Sequence, residues 1–496
     1  MKREKLLPSD FEALGIRSIT LRIAIGRIAA QAFKTETSTK EKMLSMIMEV
    51  LEEPEKYSEN EQWAEVSKII LENPTVLGNA NELGTETLQR NSNNTLARSH
   101  LLRTEPSKYP VWGAEHIEEG AIAQMDAAVK LPISLSGALM PDAHQGYGLP
   151  IGGVLATQPN TIIPYAVGND IACRMCLSIF DLPTTVIETD VKNLKSILVS
   201  NTFFGTGAVA RTKHDDSLFD SSEWYDTPLL AKLREKAYSQ LGTSGSGNHF
   251  VEWGELEVNT FDNHLGVLPG RYLALLSHSG SRGLGSAIAG TYSKIAMETN
   301  VLPDIAKHLA WLDLDTENGA EYFHAMNLAG KYASANHHEI HNKIAKALGH
   351  APIKMVENHH NYAWLETLAN GEQAMVHRKG ATPAGENVLG VIPGSMGTPG
   401  YVVKGLGNTE SINSAAHGAG RAMSRNAANK HFTRNQMLNF LGERGISLIG
   451  AGADEAPFAY KDISTVMAAQ ENLVEVLAAF HPKIVRMADA KEKPED

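Results

Sequence analysis

The chain has 496 residues, 43% of them hydrophobic, with 42 glycines and a formal net charge of −12 at neutral pH. That length allows two to four domain-sized units or one large domain with an appendage, and the apolar fraction supplies a substantial core. The acidic balance excludes a protein that coats nucleic acid non-specifically, which takes a basic surface, but it leaves room for a nucleic-acid end held in a locally basic pocket.

In chain order, Met1–Lys5 is charged and leads into no apolar run of a signal peptide. Arg22 and Arg27 interrupt Ile19–Ala32, so no uncharged stretch nears the roughly 20 residues of a spanning helix and no membrane is expected. Cys173 and Cys176 are the only cysteines, too few for a disulfide framework, and a soluble cytoplasmic protein is the expectation. Apolar spacing predicts helices over Arg17–Phe33, Lys40–Glu52 and Asn60–Leu71, punctuated by Pro54 and Pro74. An Asn- and Ser-rich linker follows around Asn91–Asn94, so residues 1–100 read as a helical appendage. From Pro110 onward, glycine-rich turns alternate with short apolar runs, the texture of a loop-built site on a mixed α and β scaffold. The tail, Lys491–Asp496, is a charged end expected to fray.

The motifs follow. Asp142-Ala-His-Gln-Gly-Tyr-Gly reads either as a structural turn or as a source of supporting partners, Asp142 and His144. Asp170 and Cys173, three apart, can aim at one point; a redox Cys-x-x-Cys and half of a zinc site are the alternatives. The later histidines are scattered through Gly- and Asn-rich loops, which favours an assembled site with Cys173 as a ligand and Cys176 in the core. Gly242–Asn248 runs straight into a strand-like Asn248–Glu252, and Leu273–Leu276 delivers His278 into a Gly/Ser loop that carries Arg282. His337, His338 and His341 lie in a helical stretch, Glu321–Leu348, one residue short of H-E-x-x-H, and read as a polar helix face. His359, His360 and Asn361 sit between two segments; Gly390–Tyr401 reads as a strand and then a glycine loop that exposes N–H groups to anions. In Asn413–Arg425, a helix starting at Gly418 or Ala419 would aim free N–H groups at a phosphate beside His417 and place Arg421 and Arg425 on one face. The alternative is a plain helix start with two solvated arginines.

PDAHQGYGLPIGG, NDIAC, GSGNHFVE, HSGSRGLG, HHN, VHRKGAT, IPGSMG, AHGAGRAMSR and DEAPFAYKD occur in this order. With them the sequence resembles the RtcB-type RNA-splicing ligases from about Pro110 to about Val485. The resemblance implies an α+β fold: a mixed α/β catalytic domain over residues 110–488, with central β-sheets ringed by helices, beside the helical appendage and a charged tail over 489–496. It implies an enzyme that uses GTP and two Mn2+ to join RNA ends bearing a 2′,3′-cyclic phosphate or 3′-phosphate to a 5′-hydroxyl, in tRNA splicing or RNA repair. Carried over, the metal ligands are Asp170, Cys173, His249, His278 and His360, and His417 is the nucleophile that takes the guanylyl group. Asn248, His249, Phe250, Val251, Glu252, His360, Asn361, Pro393, Gly394, Ser395, Met396, His417, Gly418, Ala419, Gly420 and Tyr460 would hold the guanylate. Lys379, Arg282, Arg421 and Arg425 would neutralise phosphates and the RNA end. The chain departs from the family at Gly400, often serine there, and near Ala488, where a lysine reaches the guanine; only Lys491 and Lys493 stand nearby. These departures predict a preference for GTP that is modest or depends on the tail. The other function classes are a metal-dependent phosphodiesterase or phosphatase with no nucleotide adduct, and a non-enzymatic protein that binds RNA ends.

Overall fold

A computed structural model describes residues 18–35, 37–72, 98–210, 216–261 and 264–492, together with Leu6, Asp10, Phe11, Leu14 and Ile16. The proposed linker at Asn91–Asn94 and residues 493–496 of the tail lie outside the described residues. The principal strands are β1 (Ser134–His144), β2 (Ile151–Thr157), β3 (Arg174–Phe180), β4 (Phe250–Val258), β5 (Gly270–Ser279), β6 (Lys354–His359), β7 (Asn361–Thr367), β8 (Gln373–Lys379), β9 (Ala381–Pro383), β10 (Leu389–Ile392), β11 (Gly400–Gly405), β12 (Ser414–Ala416), β13 (Ser447–Ala451) and β14 (Val474–Asp489). The principal helices are α1 (Ile19–Lys34), α2 (Lys40–Glu52), α3 (Ala64–Glu72), α4 (Glu119–Val129), α5 (Pro228–Gln240), α6 (Arg282–Thr299), α7 (Glu317–Leu348), α8 (Arg425–His431) and α9 (Arg434–Glu443). The fold is of the α+β class.

The larger sheet runs β6–β3–β5–β4–β14–β11–β10, antiparallel throughout, with β13 added parallel to β14. The interior strand β5 is buried from Leu273 to Ser279 because both faces are covered there. Leu273 and Leu275 point into a cluster with Ile340 and Ile344 of α7. Ala274 and Leu276 point the other way, towards Val356, Val402 and Phe480. This period of two matters for the site: Ser277 continues the α7 face and His278 the opposite one.

The smaller sheet runs β7–β8–β2–β1, also antiparallel. The chain passes from one sheet to the other through a single residue, His360, between the end of β6 and the start of β7. Helices α4 to α7 bury Met125, Leu230, Ile288 and Tyr322 in one apolar cluster with Leu139 of β1 and Leu155 of β2.

Helices α1 to α3 form their own cluster around Leu21, Ile25, Ile47, Val50 and Val66, and α1 rests on α7. Helix α1 begins after Ser18, whose hydroxyl accepts from the Leu21 N–H, and α2 after Thr39, which caps Lys42 in the same way. The third helix starts at Ala64 rather than Asn60, because the Asn60 side chain turns back to accept from the N–H groups of Gln62 and Trp63. Among the described residues no helix is long and apolar enough to cross a membrane.

Candidate active site

Strand register assembles the site. Arg174 at the start of β3 lies opposite Ser279 at the end of β5 and His359 at the end of β6, and Phe250 at the start of β4 lies opposite His278. Residues that flank these ends, Cys173, His249, His278 and His360, therefore meet at one edge of the larger sheet, although 187 positions separate the first from the last. The Cys173 Sγ lies 3.1 Å from His278 Nε2 and 3.6 Å from His249 Nε2. His249 Nε2 is 3.1 Å from Asp170 Oδ2, and His278 Nε2 is 3.3 Å from His360 Nε2.

Two backbone carbonyls fix the rings: His249 Nδ1 donates to Ser244 O at 2.9 Å, and His278 Nδ1 to Asn248 O at 3.2 Å. Each ring thus turns Nε2 towards the centre, and in a neutral ring held this way that nitrogen carries the lone pair. Burial pushes His278 down to about 3 and His360 well below the usual imidazole range, so both stay neutral, the form that ligates. For Asp170, burial works to raise the carboxyl, but contact with His249 and the charge of Arg282 outweigh it and hold it below the ordinary value. Asp170 Oδ2 and His360 Nδ1 are buried with no hydrogen-bond partner. A carboxylate oxygen, a sulfur and three imidazole nitrogens that converge without enough protons between them fit a divalent transition metal. The donor set does not by itself select manganese over zinc or iron. A Cβ at Gly280 would stand 2.2 Å from both Asp170 carboxylate oxygens, so only glycine fits there.

The smaller sheet and a separate two-stranded sheet, β9–β12, bring the other half. Ala381 of β9 pairs with Ala416 of β12, which places the next residue, His417, against Gly380. The His417 ring lies 4.8 Å, centroid to centroid, from that of His360. Its Nδ1 donates to Asp142 Oδ2 at 2.6 Å, and its backbone N–H reaches the same oxygen at 3.1 Å. Asp142 is fully buried. With the proton fixed on Nδ1, Nε2 carries a lone pair. Lys379, at the end of β8 and opposite Asn361, donates to the backbone carbonyl of Tyr147, and burial lowers it to about 7.

Around these groups lies a cavity of about 630 Å³. Asp170, Cys173, Asn248, His249, Phe250, Glu252, His278, His360, Asn361, Lys379, Pro393–Met396, His417–Arg421, Arg425 and Tyr460 line it. Two expected residues do not. The Val251 side chain faces the opposite side of β4, in the cluster with Leu273 and Ile340. Arg282 is buried, with Nε on Thr243 Oγ1 and an N–H on Gly205 O, and does not line the cavity. Burial alone holds the Glu252 carboxyl well above its ordinary range. Lys491 is exposed and does not line the cavity, Ala488 is buried in β14, and Lys493 lies outside the described residues.

The segment after His417 differs from expectation. No helix starts at Gly418 or Ala419; residues 418–424 are irregular, Arg421 bridges to Tyr460, and α8 begins at Arg425 after its Ser424 cap. The two arginines do not share a helix face. They converge instead on carboxylates that sequence reasoning passed over: Arg425 pairs with Glu455 and, at 2.9 Å, with Asp454, while Arg421 lies 3.7 Å from Glu455 Oε1, donates to the Asp454 backbone carbonyl and stacks on Tyr460. The loop 393–399 also keeps some donors for itself, since the Ser395 N–H goes to Thr398 Oγ1 and the Gly397 N–H to Ser395 Oγ.

His337 and His341 do share a face of α7, but it is buried rather than polar and solvated; only His338 is half-exposed. Ser178 Oγ meets His341 Nδ1 at 2.7 Å, His341 Nε2 meets Ser277 Oγ at 2.8 Å, Ser277 Oγ meets His337 Nδ1 at 2.7 Å, and His337 Nε2 meets Ser279 O at 3.1 Å. Because the chain ends on a carbonyl, His337 must donate there, and every other proton is then assigned in turn. These two rings and Cys176 offer ligand atoms within 4.8 Å of one another, yet every ring nitrogen already has a partner. The arrangement is a hydrogen-bonded strut behind β5, and Cys176 sits in the core beside it, its thiol pushed up by burial.

The sequence model of a family described as tRNA-splicing ligase RtcB matches residues 124–227 and 223–488. The RNA-splicing ligase RtcB of Escherichia coli (strain K12) is 34% identical over 416 residues, which cover 76% of this chain and 96% of that protein. The tRNA-splicing ligase RtcB of Thermococcus kodakarensis is 32% identical over 400 residues, 66% of this chain and 82% of that one. That of Methanococcus maripaludis is 31% identical over 457 residues, 77% of this chain and 91% of that one. The chain belongs to the RtcB family. The match begins past the N-terminal helices.

Proposed function

We propose that this protein is an RNA ligase that joins a 2′,3′-cyclic phosphate or 3′-phosphate end to a 5′-hydroxyl end, using GTP and manganese and a guanylate carried on His417. Residues 110–488 are the catalytic unit of this reading, with the N-terminal helices as an appendage. The observation that carries it is the placement of His417: Nδ1 lies against buried Asp142, and the ring shares a cavity with the cysteine–histidine cluster, which supports Nε2 as the nucleophile in this reading. In a metal hydrolase the same pair would act as a general base or acid and would carry no nucleotide, so the covalent adduct separates the two readings.

The chemistry follows from the residue types. His417 Nε2 attacks the α-phosphorus of GTP, the bond to the β-phosphate oxygen breaks, and pyrophosphate leaves. Asp142 stabilises the positive ring that forms as the N–P bond is made. An RNA 3′-phosphate oxygen then takes GMP from His417, and the 5′-hydroxyl attacks that 3′-phosphate and expels GMP. A cyclic phosphate is first opened by water. Asp170, Cys173, His249, His278 and His360 would hold two Mn2+, whose charge lowers the cost of bringing phosphoryl oxygens together. Arg421 and Arg425, oriented by Glu455 and Asp454, would offer guanidinium donors to phosphate oxygens, and Lys379 would add a charge once a phosphate binds beside it. Phe250, Glu252, Asn248, Asn361 and Tyr460 enclose the nucleotide. The test is sealing of a 2′,3′-cyclic-phosphate RNA to a 5′-hydroxyl RNA, with GTP and manganese each omitted in turn; sealing without GTP contradicts the reading.

Lys379 gives a pH-dependent signature. Its pKa is depressed to about 7, so above pH 7 the empty site holds mostly neutral lysine. A bound triphosphate favours the charged form, so binding at pH 8 should take up roughly one proton, and less as the pH falls through 7. Titration calorimetry in buffers of different ionisation enthalpy reads this number. Lys379→Met should abolish the uptake, and its persistence in that variant would assign the proton elsewhere.

A further inference from the structure

The exposed side of the cavity carries an aromatic ring that the proposed guanylate transfer does not use. Tyr147 lines the cavity with 69% of its surface exposed, and its hydroxyl makes no hydrogen bond among the described residues. The residue is nevertheless held firmly. Its carbonyl accepts from Lys379 Nζ. The next residue, Gly148, takes a φ of +73°, and a Cβ there would come within 3.0 Å of His308 O, so glycine lets this loop lie directly on the His308 backbone. The Tyr147 ring meets the His308 ring edge-on, at 6.0 Å and 82°, and His308 meets Tyr165 at 4.9 Å and 70°. Tyr165 lines the same cavity.

The outcome is a braced aromatic ring that is open to solvent at the entrance to a charged pocket. Its position relative to the chemistry is short: Tyr147 is one Lys379 side chain from Gly380, where a Cβ would lie 3.2 Å from His417 Cε1. A flat apolar face beside the Lys379 amine, at the door of a site for phosphate ends, suits a nucleobase whose own phosphate reaches that amine. Every base offers a π-face, so such a platform grips a single-stranded end without reading its sequence.

We propose that Tyr147, braced by His308 and Tyr165, is the stacking platform for the unpaired base of the terminal nucleotide at one of the two RNA ends. The proposal rests on the reading that RNA ends enter this cavity. A stacked base is worth roughly 10- to 100-fold in affinity. The experiment measures binding of the full-length, manganese-loaded protein to short single-stranded RNAs by fluorescence anisotropy. One arm uses a 3′-phosphate end and the other a 5′-hydroxyl end, each with a normal or an abasic terminal nucleotide. Tyr147→Ala should weaken one arm about 10- to 100-fold with the normal terminus and leave binding of the abasic RNA as it is in the wild type. Tyr147→Trp should restore the affinity, and the KM for the same RNA should follow. An equal loss with normal and abasic RNA, or no loss in either arm, overturns the proposal. A loss of GMP loading in Tyr147→Ala with no RNA present would assign the ring to the nucleotide instead and overturn it too. If the wild type seals no ends but shows the base-dependent loss, the ligase reading fails and the platform stands.

Discussion

Cys173→Ala is expected to abolish metal loading and RNA sealing together, whereas Cys176→Ala leaves both in place. The Cys173 sulfur lies within 3.1 Å and 3.6 Å of two imidazole nitrogens at the sheet edge, where a buried carboxylate oxygen also lacks a hydrogen-bond partner. Removing it takes away the one soft donor and leaves three imidazole rings and one carboxylate. Loss of a mere supporting partner costs metal sites roughly 10- to 100-fold in affinity, and loss of a ligand costs more. Cys176 points to the other side of β3, beside rings whose nitrogens are already taken by Ser178, Ser277 and Ser279. Its truncation leaves a small void and costs about 1 kcal/mol of stability. Metal per chain, read by mass spectrometry, separates the two variants. Full metal content with full activity in Cys173→Ala would remove the cluster from the reaction.

Asp142→Asn is expected to slow formation of the covalent guanylate by about 10³- to 10⁴-fold without lowering metal content. The carboxylate holds the proton on His417 Nδ1 and accepts from the His417 backbone N–H through the same oxygen. An amide can face the ring with either its oxygen or its NH2 group. The second choice moves the lone pair to Nδ1 and the proton to Nε2, where it blocks attack. In Ser-His-Asp hydrolases the equivalent change costs about 10⁴ in rate. Asp142 stands outside the cysteine–histidine cluster, so metal loading should not follow the rate. A wild-type rate of adduct formation in this variant would show that the tautomer is not what Asp142 supplies.

Much of this arrangement was legible from local sequence. The histidines fall at strand ends beside glycine loops, and antiparallel pairing of those strands brings such ends together. What local patterns could not show was pairing across the chain. Asp142 and His417 are 275 residues apart, and only the meeting of β1 with the β9–β12 pair joins them. The arginines were misplaced for a related reason. Small residues after His417 suit a helix start as well as an irregular loop, and the bridge from Arg421 to Tyr460 decides for the loop. Val251 could have been excluded at once, because Phe250 and Glu252 face the cavity and a strand alternates. The buried face of α7 was harder: His337 and His341 look solvated on a helical wheel, and the serines that satisfy them lie on β3 and β5.

The central claim is that GMP is carried on His417. Incubating the manganese-loaded protein with GTP labelled on the α-phosphate, then mapping the labelled peptide, tests it directly. The expected result is one acid-labile adduct, a phosphoramidate on His417, that disappears in His417→Ala while metal content stays at the wild-type level. Label on another residue, or no label from a protein that still opens a 2′,3′-cyclic phosphate, would contradict it and leave a metal-dependent phosphodiesterase in its place.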